Sequence, residues 1–105
     1  MVLRSFYKYK DSATGSVGKM PRARYDEPPV ELADLGRTLR ELRTGQGLKQ
    51  IELATAANMT ESQVSDIERG KNNPGWLVLM RLLYDGLGLT LTDLAAAYER
   101  TQKET

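Results

Sequence analysis

The stretch QIELATAANMTESQVSDIERG, residues 50–70, decides the fold of this chain. It opens with a helical run in which Leu53, Ala54 and Ala57 fall on one side, as a period of 3.6 residues requires of an inward face. Asn58 follows as a residue that tolerates the left-handed conformation of a tight turn. Thr60 then opens a second run as its N-cap, and Gln63, three residues on, completes a capping box. Val64 and Ile67 form the buried side of that run, and Gly70 stops it. The expectation is two short helices, the first over about residues 50–57, joined by a turn of about three residues. Polar side chains then line the outer face of the second.

Working outward, Leu32, Leu35, Leu39 and Leu42 are spaced three, four and three apart, which predicts an earlier helix ended by Gly45 and Gly47. On the other side, residues 71–75 form a loop rich in Asn, Pro and Gly. A fourth helix carries Trp76, Leu79, Met80, Leu83 and Leu87, its apolar stripe read as core or as a seam between subunits. Gly86 weakens its last turn by about 1 kcal/mol relative to alanine. A fifth begins after Thr90, capped with Asp93, and runs through Leu91, Leu94, Ala95 and Tyr98. The fold class is all-α, a bundle of five helices.

Length and composition limit what such a bundle does. With 105 residues, 40% apolar and 28% charged, the chain has ordinary globular composition and material for one modest core, which excludes a large two-domain enzyme. Cys and His are both absent, removing disulfides, zinc sites of the Cys/His kind and the commonest general base at neutral pH. No metal or cofactor is expected, and an enzyme is the least supported reading, since no paired carboxylates mark an evident cleft. No apolar run approaches the roughly 20 residues of a membrane span, and residues 1–6 lack a signal peptide's apolar stretch, so the expected location is cytoplasmic.

Residues 1–28 differ from the rest: Arg4, Lys8, Lys10, Lys19, Arg22 and Arg24 against Asp11, Asp26 and Glu27 give +3. Residues 11–19 read as a flexible arm and residues 2–9 as a short strand, while Met20 offers an alternative start that makes the first nineteen residues an upstream extension. The expected division is a basic arm over 1–28, a domain over 29–98, and the end of the last helix with a tail over 99–105. Gly18-Lys19 is no phosphate loop, because Met20 follows where Ser or Thr belongs.

Two short helices across such a turn have helix-turn-helix geometry. Over residues 35–94 the chain resembles the xenobiotic-response-element family of helix-turn-helix proteins, the Cro and phage-repressor type. The resemblance rests on Leu35-Gly36 through Leu39-Arg40-Glu41-Leu42-Arg43, on Gly47-Leu48-Lys49-Gln50 with Glu52-Leu53-Ala54, and on the run from Val64 through Ser65, Asp66, Ile67, Glu68, Arg69, Gly70, Lys71, Asn72 and Asn73 to Pro74. It implies a lambda-repressor-like DNA-binding domain whose third helix enters the major groove of double-stranded DNA. Glu61, Ser62 and Asp66 match the family's base-reading positions, with Gln63 and Ser65 beside them. A carboxylate there would accept from cytosine N4, and Gln63 would pair with adenine. The family's phosphate ligand falls on Gln50, and Arg43 with Glu68 on its structural ion pair. Thr60, Lys49, Arg69, Lys71 and Asn72 are further phosphate donors around the motif, and Arg22 and Arg24 reach a phosphate or the minor groove from the arm. Arg37 and Arg40 read as a solvated face.

Three features depart from that pattern. The fourth helix carries one residue more than the family's usual count before Leu87-Gly88, and Lys49 replaces a Ser, Thr or Asn cap worth about 1 kcal/mol. Residues 31–98 hold seven basic against nine acidic residues, an acidic balance for a module that meets phosphate. The implied function is a sequence-specific regulator that binds an inverted repeat as a homodimer through Leu89, Leu91, Leu94 and Tyr98. It would repress by occupancy or activate through RNA polymerase. Rival readings are a restriction-modification controller, an antitoxin holding a cognate toxin through the aromatic residues 2–9, and a protein-bridging module that reads no DNA.

Overall fold

Helices in this molecule end where the backbone turns left-handed. Gly47, Gly70 and Gly88 have φ of 75°, 75° and 67°, and Asn58 has 59°, each within two residues of a helix end. The computed structural model describes residues 25–104. They form α1 (Val30–Gly45), α2 (Gln50–Ala56), α3 (Glu61–Glu68), α4 (Trp76–Met80, running on without interruption as a π-helical segment Arg81–Leu87) and α5 (Leu91–Glu104). Five helices in the expected order, and no strand among the described residues, make the chain all-α. The strand expected over 2–9 and the arm over 11–19 lie outside the described residues.

Helix starts follow from side-chain caps. The Thr60 hydroxyl accepts from Gln63 N at 3.1 Å, and Gln63 Oε1 accepts from Thr60 N at 2.8 Å. Thr90 and Asp93 repeat the arrangement before α5 at 3.1 and 2.9 Å. At α2 only half of it is present, since Lys49 has no acceptor to offer and Glu52 Oε1 alone receives the Lys49 N–H at 2.7 Å.

Leu39, Leu53, Ala54, Ala57, Val64, Ile67, Leu82, Leu83, Leu87 and Leu94 form one core, against which the α-helical turn Trp76–Met80 packs the partly buried Val78, Leu79 and Met80. Two glycines allow its close approaches. A Cβ at Gly36 on α1 would collide with the Ile67 and Glu68 carbonyls of α3, and one at Gly86 would strike Leu53 of α2. Gly86 is therefore a packing requirement as well as a weak helical position. The fourth helix continues through the π segment, whose wider turn holds one more residue than an α turn while Leu82, Leu83 and Leu87 stay buried.

Burial refines three expectations. Trp76 is 65% exposed, so of the two places read for the fourth helix's stripe, core or subunit seam, it does not lie in the core. Leu94, expected at a subunit seam, is 5% exposed and packed into the core of its own protomer. Arg37, read as a solvated face, keeps a side chain 40% exposed, and its Nη2 lies 3.6 Å from Asp34 and 3.4 Å from the Thr101 carbonyl, tying α1 to α5. The Thr38 and Thr101 hydroxyls, 3.1 Å apart and buried, and the Gln102 amide on Asp34 at 2.7 Å complete that seam.

Candidate nucleic-acid interface

α3 is held from behind. Val64 and Ile67 anchor it in the core, while Glu68 at its end receives Arg43 Nε at 2.6 Å and Arg43 Nη2 at 3.0 Å. Arg43 Nη1 also donates to the Leu48 carbonyl at 2.7 Å, so one guanidinium joins α1, the α1–α2 turn and α3. A buried pair of this kind adds orientation more reliably than net stability, because desolvation offsets much of its attraction. Gln50 donates from Nε2 to Glu68 Oε1 at 2.9 Å, and its second amide hydrogen remains for another acceptor.

The opposite face of α3 is open. Glu61, Ser62 and Gln63 are exposed and Ser65 is half-buried. Asp66 is 8% exposed and accepts from Arg69 Nη2 at 2.8 Å, so this carboxylate is held against its own helix. The Oε1 of Gln63 serves the cap at Thr60, so a two-point contact with adenine requires that cap to open, whereas its amide hydrogens are free to donate outward. Lys49, Thr60 and Arg69 are exposed, and Lys71 and Asn72 are half-buried in the loop after α3. Arg22 and Arg24 lie outside the described residues; the chain that follows them is fastened by Tyr25 N donating to the Lys71 carbonyl at 2.8 Å.

A cleft of about 360 Å³ lies among α1, α2 and α3, lined by Arg40, Arg43, Gln50, Ser65, Glu68 and Arg69. The sequence reading took Arg40 for a solvated face rather than a phosphate ligand, and its place three residues before Arg43 sets the two on one side of α1. Charge is divided unevenly along the chain: residues 25–105 carry nine basic and thirteen acidic side chains, net −4, and residues 1–24 carry six basic and one acidic, net +5. Among the described residues no group of three or more acidic side chains gathers as a metal site, and no helix is long and apolar enough to cross a membrane.

Of the residues expected at a subunit seam, Leu91 is 37% exposed and Leu89 and Tyr98 are partly buried. Beside Leu91, Tyr84 of the π segment accepts the Leu91 N–H on its Oη at 3.2 Å. Trp76, Leu77 and Tyr84 are all more than half exposed.

This arrangement of α2, turn and braced α3 is that of a helix-turn-helix module, and the chain belongs to the helix-turn-helix domain family, whose model matches residues 34–97. It is 39% identical over 61 residues to the HTH-type transcriptional regulator DdrOP3 of Deinococcus deserti, a match covering 58% of this chain and 46% of the relative. The chain thus spans about half the length of that relative. Its fold is similar to the restriction-modification controller protein C.AhdI from Aeromonas hydrophila, with 33% identity and a TM-score of 0.60 over 63% of this chain and 98% of that one. The clp gene regulator ClgR from Corynebacterium glutamicum is 25% identical, with a TM-score of 0.64 over 71% of this chain and 79% of that one. These neighbours place the bundle in the lambda-repressor-like fold.

Proposed function

We propose that this chain is a transcriptional regulator that binds duplex DNA sequence-specifically as a homodimer and represses by occupying its site. The observation that carries the reading is α3: capped at Thr60, braced by the Arg43–Glu68 pair, and exposed at Glu61, Ser62 and Gln63. A short rigid helix presented this way fits the major groove, where base edges offer distinguishable donors and acceptors. Glu61 and Ser62 are the base-reading side chains, with Gln63, Ser65 and Asp66 adjoining. Asp66 accepts from Arg69 on Oδ1, and a carboxylate can accept further bonds. Gln50, Lys49, Thr60, Arg69, Lys71 and Asn72 hold phosphates around the groove, and Arg22 and Arg24 extend that contact from the arm. The gene-regulating proteins similar to this chain support regulation as the purpose of binding.

Homodimerisation uses the exposed strip of Trp76, Leu77, Tyr84 and Leu91, an apolar surface that a lone small domain gains by covering. Two α3 helices related by a two-fold axis then reach successive major grooves about 34 Å apart on an inverted repeat. Selection from a random duplex library tests this. The expected result is an enriched inverted repeat with half-site centres about 10 base pairs apart; a library that stays unenriched overturns it.

A further inference from the structure

We infer that Gln63 sets one base of the bound site and that this base is guanine, read by amide hydrogens alone. This rests on the DNA-binding reading of α3, and it departs from the adenine that a glutamine with both amide atoms free would choose. The departure comes from the cap. Gln63 Oε1 accepts from Thr60 N at 2.8 Å and from the Thr60 hydroxyl at 3.2 Å, so both of its lone pairs are engaged. Which amide atom faces Thr60 is fixed by the partner, because a backbone N–H only donates and the atom that meets it is the oxygen. Nε2 keeps both hydrogens and has no partner among the described residues, on a side chain exposed in the first turn of α3.

The polarity of what remains decides the base. In the major groove guanine presents two acceptors, N7 and O6, and no donor, whereas adenine presents N7 beside the N6 donor and thymine one acceptor beside a methyl group. Guanine alone offers an acceptor for each of the two hydrogens. Against adenine, N6 needs an acceptor that Gln63 has already given to Thr60. Freeing Oε1 for it strands the Thr60 N–H at the start of a helix of eight residues, where the first donors have no intrahelical partner. The bonds that start α3 therefore work against adenine and leave guanine untouched. Glu61 and Asp66 do not supply this preference, since ionised carboxylates only accept and a guanine edge has nothing there to donate.

The test uses Q63E. Glu serves at this position of a capping box as well as Gln does, so the cap stays while two donors become an acceptor. Each base pair of the duplex selected from the random library is replaced in turn, and anisotropy titrations at one salt concentration rank the replacements for the unsubstituted protein and for Q63E. The unsubstituted protein should show one guanine per half-site whose replacement by adenine weakens binding about tenfold. At the same place 7-deazaguanine, which lacks the N7 acceptor, should lose part of that affinity. Q63E should lose the preference or turn it to cytosine, whose N4 donates, with the other positions ranked as before. Its added negative charge weakens all duplexes together and so divides out of the ratios. If Q63E ranks every position as the unsubstituted protein does, or if the position it disturbs is an adenine or a thymine, guanine readout is overturned and the α3 reading stands. Loss of ranking at every position in Q63E also overturns it, since Gln63 then holds α3 instead of reading a base. A library that yields no preferred duplex removes the α3 reading and this assignment with it.

Discussion

Removing one partner from the Arg43–Glu68 pair strands the other as a buried, uncompensated charge, because the two side chains are only 9% and 3% exposed. Arg43→Ala is expected to cost about 3–5 kcal/mol in urea unfolding, and replacing both residues by apolar ones of similar volume should recover most of that. A loss under about 1 kcal/mol would mean that the pair does not brace α3. This pair was legible from the chain because its positions match a motif. The capping box of Thr60 and Gln63 was legible for the same reason, whereas the partner of Asp66 was not: it was read as facing outward, and Arg69, one turn later, captures its side chain. Periodicity places a residue on a helix face, but whether a polar side chain there faces solvent or a neighbour depends on rotamers that a pattern does not encode.

At the scale of elements, α3 has eight residues, too few to persist without its cap and its packing. Thr60→Ala removes the acceptor for Gln63 N and should cost about 1 kcal/mol of stability, with faster amide exchange confined to the first turn of α3. Unaltered exchange there would show the cap to be idle. Helix order and stops were predictable because Gly47, Asn58, Gly70 and Gly88 are residues that enter the left-handed region at low cost. The π segment was less so. One surplus residue in the fourth helix was visible, yet a loop, a kink and a π turn all absorb one residue. The burial of Leu82, Leu83 and Leu87 on one side selects the turn that keeps the helix unbroken. The sequence reading left Trp76 between core and subunit seam for a related reason, since its spacing with Met80 and Leu83 is helical whichever side another element covers.

For the whole molecule, the exposed strip and the split of charge set assembly and affinity. Trp76→Glu with Leu77→Glu should shift the protein from dimer to monomer in sedimentation velocity without loss of helix content, as both side chains stand clear of the core. A dimer that survives the double substitution would move the seam elsewhere on the surface. With net −4 on residues 25–105 and +5 on residues 1–24, the body alone is repelled by phosphate. Arg22→Ala with Arg24→Ala should therefore weaken binding to all duplexes alike and flatten the salt slope by about two. Unequal losses across sequences would give the arm a share in base reading. The central claim is that the exposed face of α3 distinguishes base pairs, and the most direct measurement is the affinity ratio between the selected inverted repeat and a scrambled duplex, before and after Glu61→Ala with Ser62→Ala. The account predicts a ratio of about 10³ or more for the unsubstituted protein that collapses towards one in the variant, with affinity for the scrambled duplex little changed; a ratio that survives the substitution contradicts it.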